Sequence, residues 1–315
     1  MGNTRKLYLL PAVLLILALN ACQHVSTLAQ AAANNDIIDR DTANIISLSA
    51  MAFVSAAEDI TPEQEYYIGR SVAAQILTVY KIWDEDPEFT TYLNLICNAI
   101  VLNSPKPELY NGYHVAILDS DEINAFATSG GHIFVTRGLI NIAKSEDALA
   151  GVLAHEIAHV QLKHSIRSIK TSRITKALLL TASAGAVTVK GIDVDELVDI
   201  LNESVGEIIQ TMVNSGYSRE QEYEADRAAM YLMSYAGYHP SGMIDMLQDL
   251  KSSHTAGRGF GRTHPAPIQR IYYAARILER FSVGRYKYVR WERFKNEINR
   301  FRSIHDELII AGDTY

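Results

Sequence analysis

Two histidines and a glutamate carry the clearest chemistry in this 315-residue sequence: His155-Glu156-Ile157-Ala158-His159. A spacing of four places both imidazoles on one face of a helix, where they can reach a single ion. Glu156 lies about 100° around that helix, where it can address a water on the ion rather than the ion itself. Such a set suits hydrolysis in which a metal activates water and polarises a carbonyl. In a chain of this composition the pattern arises by chance only about 0.02 times.

A catalytic zinc takes a third protein ligand and keeps one position open for water. A metzincin pattern would need a glycine three residues and a histidine six residues after His159, but Leu162 and Ser165 stand there. A glutamate close behind the motif is also excluded, because residues 160–195 contain none. The candidates are then Glu196, Glu203, Glu207, Glu220, Glu222 and Glu224. Glu222 stands out because Asp226 follows four residues later on the same helix face. One carboxylate can bind the ion while the second orients a histidine ligand through its free N–H. His264 has three readings: an oxyanion stabiliser, a fourth ligand that closes a resting site, or a cap for a helix starting at Pro265. Arg219 is a weaker oxyanion candidate, with carboxylates nearby to pair with. His164, five residues past His159 and off its face, reads as structural.

These side chains need elements to hold them. Ser145 is a good N-cap for the motif helix, with Glu146 and Asp147 in the first turn where the helix dipole favours acids. Leu149, Val152, Leu153, Ile157 and Val160 continue at helical spacing to about Ser165. Ser218 with Gln221 is a capping-box signature for the helix carrying Glu222 and Asp226, which stops at Gly237. Thr61-Pro62 and Pro87 open two earlier helices, the first periodic to Trp83. Residues 113–118 and 133–136 read as strands, joined through the turn-rich connector 124–131. Gly130, Gly131, His132, Ile133 and Phe134 then read as a sheet edge beside the motif helix, where an extended peptide could add as a strand. Further helices are expected over 240–250 and 265–281. Residues 166–215 read as a helical insertion, a candidate lid. The tail 282–315 reads as a basic amphipathic helix with Trp291, Phe294, Ile298 and Phe301 on its apolar stripe.

The first residues look like an address. Arg5 and Lys6 precede an apolar run from Leu7 to Leu19, too short to span a bilayer and typical of a signal segment. Leu19-Asn20-Ala21-Cys22 resembles a bacterial lipobox, so residues 1–21 are expected to be removed and Cys22 lipidated. By resemblance to bacterial lipoproteins, Gln23 after the cysteine implies outer-membrane sorting, with the protein facing the periplasm. Residues 22–60 are then an anchored tether with a loose helix, and 61–281 the functional domain. Formal net charge is -7, which argues against a nucleic-acid partner. Two cysteines exclude a disulfide scaffold.

The resemblance now becomes specific. His155 to His164 (HEIAHVQLKH) and Tyr217 to Asp226 (YSREQEYEAD) are similar to the two zinc helices of the HtpX-like and CAAX-prenyl-protease-like metalloendopeptidases, peptidase family M48. Ile123 to Leu139 resembles their preceding segment, and Thr263-His264-Pro265 with Arg270 resembles a later motif. The four motifs, in order, cover about residues 120 to 272, roughly half the chain. Ser129 departs from the family, which commonly has proline before the two glycines; that exchange would loosen the connector.

The resemblance implies an α+β, mostly α-helical, gluzincin-type domain with a small sheet beside the motif helix. It implies one Zn2+ per chain on His155, His159 and Glu222, Glu156 as catalytic base, and Asp226 as a second carboxylate behind the ligands or a proton donor. The expected activity is endopeptidase cleavage of unfolded or misfolded envelope proteins, with outer-membrane assembly machinery among the partners. The rival is a non-catalytic, zinc-stabilised envelope assembly factor or chaperone. The intact Glu156 argues against that rival, because a purely structural site has no use for a base beside the ion.

Overall fold

The computed structural model describes residues 60–168, 206, 216–253, 259, 263–264, 267–281 and 291–312. The expected signal segment, Cys22 and all but the last residue of the expected tether lie outside them, as does nearly all of the expected lid.

The capping chemistry acts where the sequence places it. Thr61 and Gln64 form a capping box and Pro62 opens α1 (Pro62–Val79). Asp86 accepts a hydrogen bond from Phe89 N, and Pro87 opens α2 (Pro87–Leu102). The periodicity of 61–83 overruns α1 because Trp83 is buried from an extended segment instead. Its backbone N–H donates to Ile117 O on the first strand.

Three strands follow: β1 (His114–Leu118), β2 (Ala125–Ala127) and β3 (His132–Thr136). Their order is β1-β3-β2, with β1 parallel and β2 antiparallel to β3. This corrects the expected peptide-binding edge. His132, Ile133 and Phe134 sit on the central strand, hydrogen-bonded on both sides, and offer no free edge. Gly130 and Gly131 belong to the turn between β2 and β3, where Gly131 has φ +80. The far side of β1 is closed by Asn94, whose amide nitrogen donates to Val115 O while its oxygen accepts from Val115 N, both at 2.9 Å. β2, hidden inside the connector, is the outer strand.

Ser129 does not loosen that connector. Its hydroxyl donates to Glu65 O at 2.9 Å, fastening it to α1. At the same contact a Cβ on Gly69 would stand 2.1 Å from Gly130 N, so only glycine lets helix and turn approach this closely.

Thr136 caps α3 (Arg137–Ile142), a short helix the sequence reading missed. Ser145 caps α4 (Glu146–Gln161), the helix of the motif, and every residue from Ala148 to Val160 on it is buried. An α-helix buried on all faces must be packed by neighbours all round. Those include β2, β3, α2, α5 (Arg219–Tyr235) and α6 (Ser241–Ser252). α7 (Pro267–Leu278) packs on α5 and α6.

The basic tail is α8 (Trp291–Gly312), and its Phe294, Ile298 and Phe301 enter the same core. Phe301 packs on Phe89 and Trp83, with ring centroids 4.7 and 5.0 Å apart. Its arginines are engaged by the domain. Arg293 pairs with Glu146 at the start of α4, Arg300 with Asp86 at the cap of α2, and Arg302 donates to Asn141 O. All these elements make one compact unit. Among the described residues no helix is long and apolar enough to cross a membrane.

Candidate metal centre

Three elements and one connecting turn deliver the polar residues to a single buried point. α4 supplies His155, Glu156 and His159. The capping box of Ser218 and Gln221 starts α5 so that Glu222 and Asp226 face α4 one turn apart. His264 arrives from the segment before α7. The Thr263 hydroxyl holds that segment by donating to Asn124 Oδ1, next to β2, at 3.2 Å. Arg270 comes from α7. All seven side chains, Arg270 included, are at most 3% exposed.

His155, His159, Glu222 and His264 each offer one donor atom within 4.8 Å of the others. His155 Nε2 and His159 Nε2 are 3.1 Å apart, and His264 Nδ1 lies 3.3 Å from His155 Nε2 and 2.9 Å from Glu222 Oε1. The Glu222 oxygens stand 3.6 Å from His155 Nε2 and 3.5 Å from His159 Nε2. A tetrahedral ion with bonds of about 2.1 Å has donors about 3.4 Å apart. Two imidazole nitrogens that face each other at 3.1 Å repel unless a cation or proton lies between their lone pairs. The donor set and its spacing therefore fit a metal ion.

Behind the donors, Asp226 Oδ1 lies 3.0 Å from His155 Nδ1, which leaves Nε2 to face the cluster. Arg270 bridges the carboxylates. Its Nε donates to Asp226 Oδ2 at 2.8 Å and a terminal nitrogen to Asp226 Oδ1 at 2.6 Å. Its other terminal nitrogen stands 2.8 Å from Glu222 Oε2. Tyr217 stacks on His159, with ring centroids 4.1 Å apart.

Burial pushes the Glu156 carboxyl up, with His264 and His155 partly offsetting it. Burial would also raise Glu222, but His264 and Arg270 outweigh it and hold that carboxyl well below the usual range. Burial drives His159 well below an ordinary imidazole, so it is neutral and free to use a lone pair. Glu156 Oε1 is buried and accepts no hydrogen bond from the described residues; His264 Nε2 lies 3.7 Å from it.

The structure thus gathers His155, Glu156, His159, Glu222, Asp226 and His264. Glu220 and Arg219 are exposed on the first turn of α5 and take no part. Glu224 stands half exposed, against His164 rather than the donors. Glu196, Glu203 and Glu207 lie outside the described residues. Sequence reasoning gave no role to Arg270, whose bridging depends on tertiary packing, and read His164 as structural only, whereas its Nδ1 is 2.8 Å from His159 Nδ1.

The pattern of the family described as Peptidase family M48 matches residues 92–277. The chain is 26% identical over 224 residues to the beta-barrel assembly-enhancing protease of Yersinia pestis, covering 69% of this chain and 44% of that protein. It is 26% identical over 237 residues to the metalloprotease LoiP of Escherichia coli K12, covering 74% of this chain and 87% of that one. It is 29% identical over 189 residues to the mitochondrial metalloendopeptidase OMA1 of Schizosaccharomyces pombe, covering 58% and 51%. The chain thus spans less than half the length of the beta-barrel assembly-enhancing proteases it matches. With the match covering more than half its residues and a buried donor cluster built from the two motif helices and the segment before α7, the chain belongs to peptidase family M48.

Proposed function

We propose that this M48 peptidase is a zinc-dependent endopeptidase in which His155, His159 and Glu222 hold one ion and Glu156 is the general base. The observation that carries the assignment of the base is Glu156 Oε1, a buried carboxylate oxygen beside the donor cluster that accepts no hydrogen bond from the described residues. Zinc, when bound, supplies a Lewis acid for the scissile carbonyl and the attacking water. Glu156 takes the water's proton and later passes it to the leaving amine. Its burial raises its basicity, which suits a group that must both accept and release a proton. Asp226 holds His155 in the tautomer that presents Nε2, and Arg270 fixes Asp226.

An extended peptide would pair with β2, the outer strand among the described residues, whose three residues are at most 4% exposed and must be uncovered for it to bind. Main-chain pairing there would read little sequence, which suits unfolded or misfolded polypeptides. The lipobox-like run Leu19–Cys22, with Gln23 behind it, supports a lipid on Cys22 that holds the protein on the outer membrane, facing the periplasm. The names of the beta-barrel assembly-enhancing relatives support outer-membrane assembly as the setting. A Cys22→Ala variant should then leave the membrane fraction; unchanged retention would remove the anchor.

One observation favours the rival reading, a non-catalytic zinc-stabilised assembly factor: His264 completes a set of four donors, as closed structural sites do. Cleavage of casein by the purified protein, with zinc measured alongside, separates the two. The wild type should cleave and hold one zinc, while Glu222→Gln should lose most of its metal. Full zinc in Glu222→Gln would move the third ligand elsewhere. If the wild type holds zinc without cleaving, His264→Ala decides: gained activity means a resting site closed by His264, and none favours the rival.

A further inference from the structure

The two histidines of the motif are held from behind in different ways. His155 Nδ1 meets a carboxylate directly, Asp226 Oδ1 at 3.0 Å. His159 Nδ1 instead meets a third imidazole, His164 Nδ1, at 2.8 Å. His164 Nε2 in turn lies 3.2 Å from Glu224 Oε2. We propose that His164 and Glu224 are the positioning pair of His159, a carboxylate–imidazole chain that sets its tautomer and presents Nε2 to the metal. The inference rests on the metal-site reading above.

The protons allow one arrangement. For His159 Nε2 to offer a lone pair, the ring proton must sit on Nδ1. That N–H points at His164 Nδ1, which must accept it and so carries its own proton on Nε2. The His164 Nε2–H then donates to the Glu224 carboxylate. Were His164 to donate from Nδ1, the His159 proton would move to Nε2, into the donor cluster, where it would block a metal.

The backbone is shaped for this contact. A straight α4 would carry residue 164 off the face of His159. Lys163 breaks it with φ 56, in the left-handed region, and the chain turns so that His164 comes back under His159. An ion pair between Lys163 and Glu65 anchors the turn. Gln221, in the first turn of α5, donates to His164 O at 3.4 Å. The His164 ring is fully buried, whereas Glu224 is half exposed and reaches it from the surface of α5. Tyr217 fixes the plane of His159 by stacking on it, and the His164 chain fixes its proton.

The test must separate an acceptor at this position from mere filling of space. His164→Phe keeps a buried ring and removes the acceptor; His164→Asn places an amide oxygen near the position of Nδ1. Zinc affinity is read by competition with a chromophoric chelator, and the ligand field by the visible spectrum of the cobalt-substituted protein. His164→Phe should weaken zinc about 10- to 100-fold and alter the cobalt bands. His164→Asn should recover most of that loss, and Glu224→Ala should weaken zinc by several-fold. A folded His164→Phe with wild-type affinity would overturn the proposal, as would equal losses in the Phe and Asn variants. Should His164→Phe fail to fold, Glu224→Ala decides, and unchanged affinity there overturns it. Glu222→Gln serves as the control. A wild type that holds no zinc would sink the metal-site reading and this inference together, whereas zinc lost from Glu222→Gln but kept by the His164 and Glu224 variants sinks this inference alone.

Discussion

Exchanging Glu156 for glutamine should lower peptide-bond cleavage by about 10³-fold or more, because the amide cannot take a proton from water. The same exchange should leave the fold intact. In the protein Glu156 is buried on α4, and its carboxyl is raised above its ordinary value, first by desolvation. A raised carboxyl binds its proton more tightly folded than unfolded. Stability in the metal-free protein is therefore lost as pH rises from the unfolded value through the folded one, and at neutral pH the charge is a cost. Glutamine keeps the shape and removes that cost. The thermal midpoint of chelator-treated Glu156→Gln at pH 7 should match or exceed that of the wild type. Zinc content should be unchanged, since Glu156 is not one of the four converging donors. Cleavage at wild-type rate would reassign the base; cleavage lost together with zinc or with the fold would leave Glu156 with a structural task instead.

The parts of this site that were legible in the sequence are those in which partners lie on one helix. His155 and His159 share a face through a spacing of four, and so do Glu222 and Asp226, and both helices start where Ser145 and Ser218 cap them. What escaped depends on contacts between elements. β2 is three residues, Ala-Phe-Ala, with no β-branched side chain; its pairing with Ile133, Phe134 and Val135 makes it a strand, not its own propensity. That β3 is central rather than an edge did leave a trace. Ile133, Phe134 and Val135 are consecutively apolar, the mark of a strand covered on both faces, where an edge strand would alternate or carry charge. His164 was unreadable because its approach to His159 depends on a left-handed Lys163, a conformation lysine does not announce. Arg270 belongs to a helix whose relation to the site only packing defines.

Arg270 is where the largest loss of stability is expected. Its guanidinium is 1% exposed and lies against two buried carboxylates at once, forking onto both oxygens of Asp226 and reaching Glu222 with its remaining nitrogen. An Arg270→Ala exchange leaves both acids buried without that cation, and removal of one partner from a buried ion pair costs about 3–5 kcal/mol. Urea unfolding of the metal-free protein at pH 7 should show a loss of that size. Lysine returns the charge but not the planar fork, so Arg270→Lys should still be about 2 kcal/mol less stable than wild type, the scale of a lost charge-assisted hydrogen bond. The pH dependence has a definite sign. Burial alone would raise Asp226, yet Arg270 outweighs it and leaves the folded carboxyl depressed. A depressed carboxyl contributes stability above its unfolded value of about 4, and loses it as pH falls through the folded value. Glu222, held down by His264 and Arg270, behaves the same way. The gap between wild type and Arg270→Ala should therefore be widest near neutrality and close on acidification below about pH 4. A gap that stayed constant down to acid pH would mean that Arg270 stabilises by packing its side chain rather than by holding two charges. Arg270→Lys as stable as wild type would mean that the charge alone matters and the fork does not.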